Sequence, residues 1–132
     1  MEHISASQIG MYNRCPRQYE YRYIEKIIAP PGIALLVGGS VHRSIEAAMR
    51  RKAESRSNLT PGEVADIAAD AFDSQLSERD VLLTKDEQSL GRTNAIGQAI
   101  DRVCAVARYW SVAVQTEYQP AAPEDVEQEF SI

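Results

Sequence analysis

Helical periodicity in the second half of the chain is the feature that most restricts its fold. From about residue 89 to residue 117, small and apolar residues recur at steps of three and four, at Ile96, Ile100, Val103, Cys104, Ala107, Ser111 and Val114. This spacing places them on one face of a long helix. Strands need an alternating pattern instead, and no such run precedes residue 126. The sequence therefore predicts a mainly α structure.

Prolines and glycines divide the rest of the chain. A helical stretch begins at Ser5 or Ser7, reaches the mid-twenties and is split by Pro16. The Pro-Pro-Gly triplet at 30–32 ends it, and a second helix is expected from Gly39 or Ser40 into the fifties.

A third helix is predicted to begin at Thr60-Pro61-Gly62-Glu63, where threonine and glutamate match a capping box. We expect one helical domain over residues 1–132, with aromatic helices in 1–28 and a helical body in 38–118. From Val126 to Ile132 apolar and acidic residues alternate, so residues 124–132 are expected to begin a β-strand.

Composition excludes several classes of protein. The chain has 132 residues, of which 44% are hydrophobic and 25% charged, and this balance excludes intrinsic disorder. No apolar run reaches the roughly 20 residues of a membrane helix, and the first residues form no export signal. Two distant cysteines make no disulfide framework. We therefore expect a cytoplasmic protein with no membrane partner.

Charge is distributed unevenly along the sequence. The formal net charge is -5, made up of +4 in residues 1–60 and -9 in residues 61–132. A nucleic-acid coat protein would be basic throughout. A phosphate backbone would therefore be contacted by the N-terminal half.

Tyrosines and arginines alternate after Pro16. Tyr19, Tyr21 and Tyr23 are interleaved with Arg17 and Arg22. Such residues stack on bases and bind phosphates, and the alternative is that the tyrosines pack into a core.

Cys15 precedes this segment, either as a metal or cluster ligand or as a small buried hydrophobe. Cys104, within the apolar stripe, is expected to pack in the core. The basic run of residues 50–52 is expected to be a solvated helix face.

His42 is a further candidate functional residue, outside the tyrosine–arginine segment. It follows Gly38, Gly39 and Ser40, so it is expected in the first turn of a helix, where the helix dipole favours a neutral, metal-binding imidazole. The three small residues would leave space beside the ring. Glu46 lies one turn further on. The alternative is that His42 only hydrogen-bonds a neighbour.

These clusters together resemble the RecB-like branch of the PD-(D/E)XK nuclease superfamily, which includes CRISPR-associated RecB-like and AddB-type nucleases and phage relatives. The matching pieces, in order, are Ser5-Ala6-Ser7, Cys15-Pro16 with Arg17, Tyr19, Tyr21 and Tyr23, Gly38-x-x-x-His42 with Glu46, and Val126-Glu127. The resemblance implies the helical N-terminal portion of a restriction-endonuclease-like α/β fold, ending at the first core strand.

The resemblance also implies a metal-dependent phosphodiesterase. Its site would hold Mg or Mn, with His42 as one ligand and Glu46 either orienting the His42 ring or serving as a further ligand. Some members hold an iron–sulfur cluster, for which Cys15 would be one ligand in the intact protein. The implied DNA-contact residues are Arg17, Tyr19, Arg22, Tyr23 and Arg43.

The family's catalytic aspartate and Glu-x-Lys pair are not found in this sequence, and neither Asp101 nor Asp125 has the right context to replace them. The hypothesis is an N-terminal fragment of an exonuclease-like DNA nuclease acting on single strands or ends, with no cofactor bound and no activity by itself. A second copy of the chain would be able to pair with the unpaired strand. The alternative function is a non-catalytic helical module that binds protein or nucleic acid.

Overall fold

Six α-helices make up most of residues 4–126, the part of the chain described by the structure, a computed structural model. No strand occurs among these residues, so the mainly α prediction is confirmed. The chain divides into two compact units, one ending at Pro30 and the other beginning at Pro31. No helix within residues 4–126 combines the length and the apolar character needed to cross a membrane.

The first unit contains two short helices and a wider turn. Helix α1 (Ala6–Arg14) is capped by Ser5, and α2 (Pro16–Tyr19) begins at the proline that splits the stretch, as predicted. A π-helical turn follows over Glu20–Ile24. None of residues 4–30 is fully buried, so this unit has no core of its own in the described chain.

The second unit is a packed group of three long helices. These are α3 (Ile33–Ser55), α4 (Pro61–Glu78) and α6 (Arg92–Ala113), with the short α5 (Lys85–Leu90) before α6. Single 3₁₀ turns follow at Gln115–Glu117 and Pro123–Asp125. A backbone bridge between Gly32 and Leu82 ties the loop after α4 to the start of α3.

Small residues let these three helices approach closely. Phe72 is the largest fully buried side chain, and most of its buried partners are alanine or valine. The buried hydrophobic cluster comprises Ile33, Leu36, Ala48, Val64, Ala68, Phe72, Ala95, Ala99, Val103 and Ala107. Burial of such side chains contributes most of the stabilisation of a domain of this kind.

Two of the predicted helices have different boundaries in the structure. Helix α3 begins directly after Gly32, because the Pro-Pro-Gly break ends there and Ile33 and Leu36 are needed in the core. The long helix predicted from about 89 to 117 is interrupted at Gly91, whose φ of 91° is a conformation that favours glycine. Its last residues, 115–117, form a 3₁₀ turn instead of α-helix.

The predicted strand lies mostly outside the described residues. Residues 127–132 are not among those described, while Pro123–Asp125 form a 3₁₀ turn and Val126 a turn. A strand at the end of the chain stays a prediction.

The two adjacent glycines of α3 have different surroundings and provide a test of the packing. A Cβ at Gly39 would lie 3.0 Å from Oε1 of the buried Gln75, whereas nothing lies within 4 Å of one at Gly38. Gly38→Ala should raise the free energy of unfolding by about 0.5–1 kcal/mol through helix propensity. Gly39→Ala should lose this gain because it displaces the Gln75 amide. Urea unfolding of both variants measures the difference, and equal stabilities would contradict the packing of α3 on α4.

The capping box of α4 predicts a pH dependence of stability. The Glu63 carboxylate accepts hydrogen bonds from the Thr60 amide at 2.8 Å and the Thr60 hydroxyl at 2.9 Å, and these lower the pKa of Glu63. The stabilisation is therefore present above the unfolded-state pKa of about 4.3 and is lost as pH falls through the folded-state value. Glu63→Gln should flatten the loss of stability in acid, measured by urea unfolding from pH 7 to pH 3. The exposed Glu54→Gln is the control and should keep the wild-type slope.

Candidate functional site

An aromatic row runs through the first unit. The ring of Tyr12 meets the ring of Tyr19 edge to face, with centroids 5.5 Å apart, and Tyr19 lies 5.0 Å from Tyr23. Tyr12 is 54% exposed, while Tyr19 and Tyr23 are half-buried. The tyrosines therefore pack on one another without entering a closed core, which leaves their ring edges and faces accessible.

Two grooves lie against this row. One, of about 580 Å³, is lined by Tyr12, Cys15, Pro16, Arg17, Tyr19, Glu20 and Ile24. The other, of about 250 Å³, is lined by Ile4, Gln8, Ile9, Tyr12 and Tyr19. Tyr12 and Tyr19 thus form a wall shared by both grooves. The larger groove has the volume of a small-molecule cleft, which ranges from about 300 to 1,000 Å³.

Two exposed arginines of this unit, Arg17 and Arg22, lie over tyrosine rings. The guanidinium of Arg17 is 4.9 Å from the centroid of Tyr21, donates a 3.0 Å hydrogen bond to its hydroxyl and pairs with Glu20 at 3.1 Å. Arg22 lies 5.9 Å from the centroid of Tyr23. Both can reach a phosphate while keeping their contact with a ring.

The π-helical turn Glu20–Ile24 contains Tyr21, Arg22 and Tyr23 and has a wider backbone than an α-helix. The Glu25 amide donates to the Glu20 carbonyl five residues earlier, at 2.9 Å, and Lys26 then takes a left-handed φ of 55°. Such turns are frequent at functional sites. No pattern in the sequence predicted this turn.

Cys15 lies half-buried at the larger groove. The only other cysteine of the sequence, Cys104, is half-buried in α6, where its sulfur lies 3.9 Å from the Ala65 carbonyl oxygen. An iron–sulfur cluster normally takes four thiolates. The residues of this chain therefore do not fit such a cluster by themselves.

His42 lies in the second unit, exposed on α3. The prediction that it occupies a first helical turn was wrong, because α3 begins nine residues earlier at Ile33. The effect of a helix dipole falls off within the first turn, so the dipole argument for metal binding by His42 does not apply. A metal-binding role of His42 therefore requires space and further ligands from neighbouring residues.

The small residues before His42 do not share one role. Gly38 faces open space and lies one turn before His42 on the same side of α3. Gly39 packs against Gln75, and Ser40 is fully buried with its hydroxyl donating to the Leu36 carbonyl at 2.6 Å. Only Gly38 provides the space that the sequence predicted beside the ring.

Glu46 and Arg43 lie on α3 near His42. Arg43 is exposed, whereas the half-buried Glu46 accepts a 2.9 Å hydrogen bond from Nε of Arg50 and pairs with its Nη2 at 2.9 Å. The expectation of a solvated basic run was wrong for Lys52, which is buried with its ammonium donating to the Gln115 carbonyl. The side chain of Arg50 is 43% exposed. The four-residue step from Glu46 to Arg50 was the sequence signal for their ion pair.

The family model of the PD-(D/E)XK nuclease superfamily matches residues 3–132. The chain therefore belongs to the PD-(D/E)XK nuclease superfamily. No significant match was found among curated proteins or among solved structures.

Nucleases of this superfamily generally use divalent metal ions, which are held by clustered acidic and imidazole side chains. No group of three or more His, Cys, Asp or Glu side chains able to hold a metal occurs in residues 4–126. His42 and Glu46 offer at most two neighbouring donor groups, and Glu46 already binds Arg50. A Mg²⁺ ion takes six ligands and needs at least one or two protein carboxylates besides waters and substrate phosphates. The described part of the chain does not fit a divalent ion by itself.

Proposed function

We propose that this chain is the helical N-terminal part of a RecB-like, metal-dependent DNA nuclease that hydrolyses phosphodiester bonds in single strands or at DNA ends. Such an exonuclease-like activity suits DNA repair, recombination or phage DNA metabolism. The match of residues 3–132 to the superfamily is the observation that carries this proposal. The RecB-like assignment is supported by the order of the Cys-Pro-aromatic segment and the Gly-x-x-x-His segment in the sequence.

The aromatic row is the proposed DNA contact of the first unit. Arg17 and Arg22 would bind phosphates, and Tyr19 and Tyr23 would support bases through their rings. Tyr12, which sequence analysis missed, joins this set because it is the more exposed wall of both grooves. An unpaired base can enter such a groove, whereas a stacked base pair cannot, and this favours single strands.

His42 is the proposed metal ligand, and the proposed metal is Mg or Mn. The sequence contains no Glu-x-Lys or Asp-x-Lys triplet, so the remaining carboxylates and the lysine of a superfamily site would come from residues outside this sequence. Arg43, exposed next to His42, would contact the DNA backbone. Cys15 would serve a cluster only with three thiolates from outside this sequence.

A non-catalytic nucleic-acid-binding module is the second candidate. It is favoured by one observation, namely that residues 4–126 present aromatic grooves but no group of metal ligands. The two proposals agree on DNA binding and differ on cleavage by the full-length gene product.

Base stacking on the aromatic row should be measurable with this chain. Tyr12→Leu should weaken binding of a labelled oligo-dT about tenfold at low salt, because one stacked base contributes about 1–3 kcal/mol. The control is Tyr109→Leu, which removes a tyrosine that is 71% exposed on α6. Fluorescence anisotropy gives the affinities.

An abasic strand of the same length separates stacking from phosphate binding. It should bind wild type at least as weakly as oligo-dT binds Tyr12→Leu, because it loses the bases that stack on all three tyrosines. Equal affinity of wild type for oligo-dT and for the abasic strand would contradict a stacking role.

His42 should be required for cleavage but not for folding. In the full-length gene product, His42→Ala should reduce Mg- or Mn-dependent cleavage of labelled DNA at least a hundredfold. Its melting temperature should change little, because substitutions at exposed sites usually alter stability by no more than about 0.5 kcal/mol. Glu54→Ala, also exposed on α3, is the control and should keep full activity. Normal cleavage by His42→Ala would remove His42 from the site, and no cleavage by wild type would favour the non-catalytic module.

A further inference from the structure

The chain after α6 is bound to α3 by side chains from both partners. The buried Lys52 donates to the Gln115 carbonyl, and the Gln119 side chain donates to the Lys52 carbonyl at 3.3 Å. Further along, Arg50 donates to the Pro123 carbonyl at 3.4 Å and to the Val126 carbonyl at 3.3 Å. Two α3 side chains thus hold a segment that carries no regular helix beyond short 3₁₀ turns.

Arg50 is the residue that connects this segment with the His42 side of α3. Its guanidinium binds Glu46 through Nε and Nη2, and the same group reaches the two carbonyl oxygens of residues 123 and 126. The two carbonyls therefore surround the same guanidinium as the Glu46 carboxylate. Glu46 itself follows His42 by one helical turn, a rise of about 5.4 Å along α3.

We propose that Arg50 is a positioning residue, which fixes the Pro123–Val126 backbone beside the His42 side of α3 and uses Glu46 as its counter-charge. The inference rests on the proposed nuclease function for its catalytic consequence. It assigns Glu46 to Arg50, and not to a metal. Only an arginine fits this role, since its planar fork serves a carboxylate and two carbonyls at once. A lysine has one ammonium group and cannot span all three.

Limited proteolysis of this chain tests whether Arg50 holds the Pro123–Val126 segment against α3. A Glu-specific protease should cut after the exposed Glu124 about tenfold faster in Arg50→Lys than in wild type, since loss of charged hydrogen bonds favours local opening. Arg51→Lys makes the same change at the exposed neighbour and should be cut at the wild-type rate. Equal rates in Arg50→Lys and wild type would overturn the proposal.

The second test measures catalysis in the full-length gene product. Arg50→Lys should lower kcat about tenfold to a hundredfold with the KM for DNA unchanged, because small misplacements of a site have effects of this size. A merely structural role would lower the active fraction and the melting temperature together, so the melting temperature and an active-site titration accompany the kinetics. If wild type is active and Arg50→Lys has the same kcat, the catalytic role of Arg50 is overturned, while its contact with the segment is decided by the protease result.

Glu46→Gln identifies the partner of Arg50. If the two residues act as one pair, the double variant should lose no more kcat than Arg50→Lys alone. Additive losses would assign Glu46 a separate role and overturn its assignment to Arg50. A wild-type protein that cleaves no DNA would contradict the proposed function and with it the catalytic part of this inference, while the protease result would still decide the contact itself.

Discussion

Close packing of α3, α4 and α6 is the constraint on which the second unit depends. The core positions of these helices are mainly alanine, serine and valine, so their backbones approach closely and large side chains are few. Phe72 fills the space that the small residues leave. In a core of small side chains, each residue contributes little to the free energy of folding. The stability of such a core therefore depends on tight packing between the helix surfaces.

Such close approach also buries polar groups, which then need partners. The Gln75 amide donates to the Ser40 hydroxyl at 2.8 Å and to the Leu36 carbonyl at 3.3 Å, and the Gln115 amide donates to the Leu59 carbonyl at 3.0 Å. Among the described residues, every buried side-chain nitrogen or oxygen has a hydrogen-bond partner. These bonds fix which helix faces meet, because an unpaired buried amide would cost about 1–3 kcal/mol.

The first unit is stabilised in a different way. With no fully buried residue between 4 and 30, its order comes from a Ser5 cap, a proline-started helix and ring-on-ring contacts among Tyr12, Tyr19 and Tyr23. Aromatic contacts leave large apolar surfaces exposed beside cationic side chains. In a member of a nuclease superfamily, such a surface is chemically suited to unpaired bases and phosphates.

Local chemistry determined much of the helical structure from the sequence by itself. Ser5 and the Thr60–Glu63 pair cap helices as predicted, and Pro16 divides the first stretch, because these signals act over three or four residues. The order of the short motifs also indicated the PD-(D/E)XK nuclease superfamily, and the family model confirms that superfamily. The start of α3 was missed because Ile33 and Leu36 become helical to fill a core that the local sequence does not describe.

Tertiary structure alone decided the roles of the charged residues of α3. In the sequence, residues 50–52 are a short basic run, yet one of them is buried, one binds a distant segment and one remains in solvent. Their partners lie 63 to 76 residues away, at Gln115, Pro123 and Val126. Which charge is buried depends on the helix face that α6 and its following segment cover, and local sequence carries no record of that contact. The sequence by itself determined the long helices and the superfamily of the chain. Packing of these helices decided which of their polar side chains bind distant segments.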